Sequence, residues 1–479
     1  MKKLIAFLCL ISMLFPLCAC SSGLSAGETL PTLTETEGKQ TEEAKETGPI
    51  TYPEGFSVGY ARADVTTVPL SIFESVGETA HDPLQLTVTA LCDGENVAVV
   101  MSLDAAGVTY EFTEKSMDLL EKEFGIPSSA VILNATHTHS AHTAGSTSDS
   151  SLRFTANFYK KLVIAVEEAL RDLTPAKAFA GVSHTDGITF VRRYLMPDGS
   201  YQTNPTATVL AHETEADNEL RTLRFQREGK KDVLMVNYQT HYGGATSKYP
   251  NQISADFIHP YRIRAEKDLN CHFAYQSGAG GNLNFNSSIE GERKYGDFVA
   301  AIDGFMIATK DAIAKEEAIA TGKIVAKGEF YNAKVIQDSP ERIQHAQEVA
   351  FLSHDASAQS ILISKYGFAS KREANAVIAR AEFGETKELL LTAITCGDIA
   401  FTGFPYEMFD TNGQEVRAAS PYKMTFVCSL TNGSYGYIPS ALAYPHGGYE
   451  VYSTRFVEGT GEELVADMLR ILNSCKASS

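Results

Sequence analysis

Several short apolar runs in this chain stop abruptly on residues that carry chemistry, and this pattern constrains the fold more than any other feature. The run Ala130-Val131-Ile132-Leu133 leads into Asn134-Ala135-Thr136-His137-Thr138-His139-Ser140, and the run 233–239 leads into Thr240-His241. Residues 272–276 lead into Gly278-Ala279-Gly280-Gly281-Asn282-Leu283-Asn284. Residues 399–402 lead into Phe404-Pro405-Tyr406-Glu407, and 424–430 into Thr431-Asn432-Gly433-Ser434-Tyr435-Gly436-Tyr437. Runs this short and this apolar read as buried strands. The carboxyl ends of strands commonly build the site of an α/β fold, because the loops there converge.

Residues 96–103 and 389–395 add further strand candidates. Amphipathic stretches at 114–124, 156–172, 257–269, 298–314 and 462–473 read as helices. The clearest is 156–172, where Phe158, Leu162, Val163, Val166 and Leu170 form a core-facing stripe. The segment 340–383 has a helical pattern rich in Ala, Ser and charge, and reads as a surface helical pair without chemistry. Strands and helices in alternation imply an α/β domain with mixed sheets flanked by helices.

Side chains at i and i+2 of a strand point the same way, so His137 and His139 are expected to share one face. Two imidazoles side by side at the end of a buried strand suggest a metal or catalytic site. The competing reading of an isolated His-x-His is a pair of hydrogen-bonded loop histidines.

The ends of the chain carry a different message. Lys2 and Lys3 precede an apolar stretch, 4–17, too short to span a bilayer comfortably, and Leu17-Cys18-Ala19-Cys20 has the form of a bacterial lipobox. The expectation is a lipoprotein signal peptide over 1–19, a lipid anchor on Cys20, and an acidic Thr/Glu-rich tether over 20–52. The protein would then sit outside the cytoplasmic membrane, attached by its N-terminus. Residues 53–479 show no second linker or repeat and read as one large domain. Cys92, Cys271, Cys396, Cys428 and Cys475 are widely spaced and form no Cys-x-x-Cys pair, so they read as core residues. A formal charge of −18 argues against nucleic acid as a partner.

Six segments together resemble the catalytic domain of the neutral ceramidases, the neutral/alkaline non-lysosomal type. They are Val58 to Thr66, Ala135 to Ser140, Thr240-His241 with Ile253-Ser254-Ala255-Asp256, Gly278 to Asn284, Pro405-Tyr406-Glu407 with Gly413 and Arg417, and Asn432 to Tyr437 with Tyr449-Glu450 and Ser453-Thr454. The resemblance implies that His137, His241, Glu407 and Tyr437 hold Zn²⁺, with His139 beside the metal as a substrate contact. It also places Arg192, or its neighbour Arg193, and Tyr449 where ceramidases contact the polar head of the lipid. Zinc accepts imidazole nitrogen and carboxylate or phenolate oxygen, and lowers the pKa of a bound water to about 7. Each donor also has a plain structural reading, Glu407 as a partner at a helix N-terminus and Tyr437 as a core residue.

Two departures accompany the resemblance. Ceramidases carry a serine in a Gly-Asp-x-Ser-Pro loop, whereas this chain reads Gly281-Asn282-Leu283-Asn284-Phe285, with Asn284 in the serine's place. An asparagine amide can donate a hydrogen bond to an oxyanion but cannot act as a nucleophile. The immunoglobulin-like C-terminal domain of ceramidases has no counterpart in this sequence. The expected function is a zinc-dependent, ceramidase-like hydrolase that cleaves an amide, or an ester, of a lipid or envelope-derived substrate. The alternatives are a non-catalytic metal- or ligand-binding lipoprotein of the same fold, and an amidase acting on the cell wall.

Overall fold

Strands buried on both faces read as continuous apolar runs, and here they form two stacked sheets. The computed structural model describes residues 48–67, 79–147, 149–241, 244–352 and 356–479. The signal segment, Cys20 and most of the tether lie outside the described residues. No helix among the described residues is long and apolar enough to cross a membrane.

The larger sheet is built from β1 (Ser57–Asp64), β2 (Gln85–Cys92), β3 (Val97–Leu103), β4 (Val131–Ala135), β5 (Thr174–His184), β6 (Glu219–Arg227), β7 (Val233–Tyr238) and β8 (His272–Ser277). Their spatial order is β8-β7-β6-β5-β1-β2-β3-β4, with Glu317–Ile319 added alongside β5. Neighbours are antiparallel except β3 with β4 and β7 with β8, which are parallel. The smaller sheet has β9 (Ile324–Lys334), β10 (Thr386–Cys396), β11 (Ile399–Gly403) and β13 (Met424–Cys428) in that order, with β11 and β13 parallel. Between them in sequence and just beyond lie β12 (Glu407–Met408) and β14 (Tyr437–Ile438), a separate parallel pair.

Alternation along the strands shows how the layers stack. On β10, Leu390 and Ile394 join a buried cluster with Val88, Met101 and Leu133 of the larger sheet. Leu389, Leu391 and Ala393 instead pack with Leu464, Met468 and Leu472 of a C-terminal helix, Thr460–Ser478. On β7, Val233 and Met235 face the shared core, while Leu234, Val236 and Tyr238 face the helices Ile258–Leu269 and Ala301–Ala314. The body is therefore a helix–sheet–sheet–helix sandwich. The helix Asp149–Arg171 presses on β1 so closely that a Cβ on Gly59 would lie 1.9 Å from the Ala169 carbonyl oxygen.

The seven expected strands and five expected helices all form, with ends shifted by a few residues. The segment 340–383 differs from expectation. It holds three helices, Pro340–Phe351, Ala356–Lys365 and Lys371–Phe383, and one of them reaches the functional site. All five cysteines of the body are buried and unpaired, as expected of core residues.

Buried asparagines fasten the two sheets together at one end. Asn432 accepts from the Leu133 N–H (2.9 Å) and donates to the Val131 carbonyl (2.9 Å), mimicking another strand at the edge of β4. Asn134 accepts from the Ser277 N–H at the end of β8 (2.7 Å), so both edge strands of the larger sheet meet there. Asn237 donates to Gln276 and to Val427 of the smaller sheet, each at 3.0 Å. Each of these buried amides satisfies backbone groups that would otherwise be orphaned.

Candidate metal centre

The loops that leave β4, β7, β8, β11 and β13 converge beside these asparagines. β4 ends at Ala135, so His137 and His139 lie in the following loop and not in the strand. Strand alternation is therefore not what brings them together. His137 adopts a left-handed backbone (φ 66°), which is uncommon for a residue with a Cβ and turns its ring toward its neighbour. The two rings stand perpendicular with centroids 4.8 Å apart, and their Nε2 atoms are 3.2 Å apart.

His137 Nδ1 lies 2.6 Å from the Ala106 carbonyl oxygen, which can only accept, so the proton sits on Nδ1. Its Nε2 lies 3.4 Å from Glu407 Oε2. That carboxylate oxygen is buried and has no hydrogen-bond donor. An imidazole nitrogen and a carboxylate oxygen this close can share a cation, either a proton or a metal ion. Ligating nitrogens of His137, His139 and His241 all fall within 4.8 Å of one another.

Glu407 and Tyr437 meet by register. They are direct partners across the parallel pair β12 and β14, so their side chains leave the pair on the same side. Glu407 caps no helix, whereas Tyr437 is buried with a satisfied hydroxyl, as its plain reading expects. The helix Asp410–Ala419 has no side-chain cap, and the Tyr437 hydroxyl receives a hydrogen bond from Arg192 Nη2 (3.1 Å) within the site. Burial pushes the Glu407 carboxyl up, but His137 and Arg372 prevail and hold it ionised, down to about 2. Burial and Glu407 push the Tyr437 phenol well above its ordinary value. His241 is fully enclosed, and burial followed by Arg192 drives its imidazole well below the usual range. His139 opens onto the cleft, yet protein surrounds most of its ring, and desolvation with His137 lowers it to about 3.

The glycine loop after β8 serves these ligands by proximity. A Cβ on Gly280 would lie 2.5 Å from the Thr240 carbonyl oxygen, beside His241. One on Gly281 would lie 2.8 Å from the Glu407 carbonyl oxygen, where Gly281 N–H also donates to Met408 (2.7 Å). Only glycine lets three backbones pass this closely.

Of Arg192 and Arg193, it is Arg192 that lines the cleft. Its Nε donates to Glu450 Oε1 (2.7 Å), and its Nη2 to the Gly281 carbonyl (2.8 Å) and Tyr437. Arg193 points away, to Glu213 (2.6 Å) and Glu450 Oε2 (3.0 Å). Tyr449 opens the short helix Tyr449–Ser453, with its ring 5.7 Å from that of Tyr437. Asn284 lines the cleft from a strand pair with Phe190, and its amide donates to Asn204 Oδ1 (3.0 Å).

The cleft has a volume of about 860 Å³, and all eight residues singled out in the sequence line it. This lies within the usual range for small-ligand sites. Ile188, Phe285, Tyr295 and Phe298 form an apolar wall beside the polar donors. One member was not foreseen. Arg372, from the helix Lys371–Phe383, sets its guanidinium 3.4 Å from Glu407 Oε1 and over the rings of Tyr437 (5.3 Å) and Tyr449 (5.5 Å). No motif surrounds it, and its helix carries the composition of a surface element.

The donor set of imidazole nitrogens, one carboxylate and one phenol, with an orphaned carboxylate oxygen among them, fits a zinc ion. His139 is as near to His137 as a ligand need be, so the distances alone admit it as a third nitrogen.

No protein-family model matches the chain, and a search of curated protein sequences found no match. Solved structures do match. One, described as a ceramidase complexed with C2, superposes with a TM-score of 0.66 at 17% identity, covering 88% of this chain and 76% of that one. Another, neutral ceramidase from Pseudomonas aeruginosa, gives a TM-score of 0.64 at 17% identity over 88% of this chain and 75% of that one. The mixed sheets flanked by helices thus form a neutral-ceramidase-like fold, with the candidate metal centre at the carboxyl ends of its strands.

Proposed function

We propose that the protein is a zinc-dependent hydrolase of an amide, or less readily an ester, in a lipid or envelope-derived substrate. The observation that carries this reading is the facing pair of His137 Nε2 and the orphaned Glu407 Oε2, with His241 and Tyr437 beside them. The ceramidase structures of the same fold support the amide as the bond attacked, and the apolar wall suits an acyl chain. His137, His241, Glu407 and Tyr437 would hold the ion. When bound there, zinc supplies an activated water and a Lewis acid for the scissile carbonyl.

The remaining groups act on the substrate. His139, open to the cleft beside His137, can orient the substrate and hydrogen-bond the charge that develops on it. Burial raises the Tyr449 phenol, so it stays protonated and can donate to the oxyanion that develops on the carbonyl. Arg192, bound to Glu450, Gly281 and Tyr437, positions the phenol and the glycine loop. The lipobox at Cys20 would tether this activity to the outer face of the bacterial cell membrane.

Metal analysis of the purified protein, with a hydrolysis screen of N-acyl lipids and wall peptides with and without chelator, tests the reading. Bound zinc and chelator-sensitive turnover abolished in Glu407→Ala are expected. A protein without zinc, whose stability is unchanged by His137→Ala, would overturn it. The commitment of the Asn284 amide to Asn204 favours a second reading, a zinc-binding lipoprotein without turnover. Stoichiometric zinc with no hydrolysis across the panel would favour that reading.

A further inference from the structure

The cleft is richer in cations than its metal donors require. Arg192, Lys248, Arg293 and Arg372 line it, against the carboxylates of Glu407 and Asp297 alone, in a chain whose formal charge is −18. Asp297 is already paired with Lys248 (2.5 Å). Arg372 shares Glu407 Oε1 (3.4 Å) with the candidate metal donors.

Behind Arg372 lies a second pocket of about 440 Å³, lined by Lys371, Arg372, Asn375, Gly436, Ser453 and Arg455 and by no acidic residue. The Arg455 Nε is buried and has no hydrogen-bond partner. Among the described residues, neither Arg455 nor Lys371 has a carboxylate within ion-pair distance. Gly436, at φ 77°, leaves room for this guanidinium, because a Cβ there would lie 2.5 Å from Arg455 Nη1. Burial and the neighbouring Arg372 push Arg455 down to about 10, against the opposing pull of Glu407 and Glu382. Arg455 is half-buried with its guanidinium over the Phe383 ring (5.8 Å), and an incoming anion can form charge-assisted hydrogen bonds with it.

We propose that the substrate of this hydrolase is itself an oxyanion, whose carboxylate or phosphate ester binds between Lys371, Arg372 and Arg455 while its amide lies at the metal centre. The inference rests on the hydrolase reading above. Arg372 lines both pockets and so joins the anion site to the cleft, which suits a compact substrate such as an N-acyl amino acid or a short phosphorylated N-acyl head group.

The test compares N-lauroylethanolamine, its O-phosphate and N-lauroylglycine as substrates of the zinc-loaded full-length protein. The wild type is expected to favour one anion over the neutral amide by about 10- to 100-fold in kcat/KM, the range of a charge-assisted hydrogen bond. The preferred arm separates carboxylate from phosphate. In Lys371→Gln and Arg455→Gln the anion-to-neutral ratio should fall toward one through KM, and Arg455→Lys should restore part of it. Equal cleavage of all three by the wild type, or variants that lower all three alike, would overturn the proposal. If none is cleaved, the hydrolase reading fails separately, and calorimetric binding of the same compounds decides about the pocket. Tighter binding of an anion, lost in Arg455→Gln, upholds the site, whereas equal or undetectable binding refutes it.

Discussion

Glu450→Gln removes the charge that fixes both arginines behind the metal centre while keeping the shape of the side chain. Glu450 is fully buried and accepts from Arg192 Nε (2.7 Å), Arg193 Nη1 (3.0 Å) and Thr203 Oγ1 (2.8 Å). Burial alone would raise its carboxyl, yet Arg192 and Arg193 hold it below the ordinary value. A glutamine keeps one acceptor oxygen and turns an amide N–H₂ toward one of the guanidiniums, which can only donate. Breaking a buried pair by neutralising one partner costs about 3–5 kcal/mol. The loss propagates to Arg192, whose Nη2 supports Tyr437 and the Gly281 carbonyl. Loss of such outer support for a ligand lowers metal affinity by about 10- to 100-fold. Urea denaturation measures the first quantity, and competition for zinc against a chromogenic chelator measures the second. The double variant with Arg192→Gln should lose less than the sum of the singles, because the second change leaves no further orphaned charge. A destabilisation under about 1 kcal/mol together with unchanged zinc affinity would refute the reasoning, since that is the scale of an exposed ion pair.

Three further outcomes follow from the geometry. His137→Ala should abolish zinc binding in metal analysis, whereas His139→Ala should keep the ion and lower kcat/KM by about 10²- to 10³-fold, the usual cost of removing a hydrogen bond to developing charge; loss of zinc in His139→Ala would make it a ligand. Gly281→Ala should lower thermal stability by about 1–3 kcal/mol and weaken zinc binding, because its Cβ would press on the Glu407 carbonyl oxygen 2.8 Å away. Burial pushes the Asp410 carboxyl up from 3.8 to about 6, so the folded chain holds that proton more tightly than the unfolded one. Stability should therefore fall as pH rises across this window, by at most about 3 kcal/mol from this group. Denaturation of wild type and Asp410→Asn at several pH values isolates it, and parallel pH profiles would refute the assignment.

The parts of this structure that sequence exposes are those with a single physical cause. Strands such as Val131–Ala135 and Val233–Tyr238 are apolar at every position because both faces are covered, and nothing else in the chain competes with that pattern. Thr174–His184 and Glu219–Arg227 escape notice. The first is diluted by Ala, Lys and Gly, and the second carries three arginines, Arg221 and Arg227 on one face and Arg224 on the other. Their strand character comes from neighbours on both sides in the sheet, which is a tertiary effect. His137 and His139 are legible as residue types, but their convergence is not, because it depends on a left-handed backbone at His137. Arg372 is the clearest case of illegibility. Its place in the cleft depends on how the segment from Pro340 to Phe383 folds back over the Glu407 and Tyr437 pair, and helical periodicity says nothing of that.

A physical reason for the position of the centre lies in strand direction. Most neighbours in both sheets are antiparallel and send successive strand ends to opposite edges. The exceptions are β3 with β4, β7 with β8, and β11 with β13, and each parallel pair delivers two carboxyl ends to the same edge. All six of these ends lead to the centre. β3 leads to the Ala106 carbonyl that orients His137, β4 to His137, β7 to His241, β8 to Gly280 and Gly281, β11 to Glu407 and β13 to Tyr437. Parallel pairing demands long crossover connections, so the ligands are necessarily far apart in sequence, from His137 to Tyr437. They meet only when both sheets are formed and stacked through Asn134, Asn237 and Asn432. No preformed site can exist in the unfolded chain, so on the proposed reading the free energy of binding an ion would add to the stability of the whole sandwich rather than to one loop.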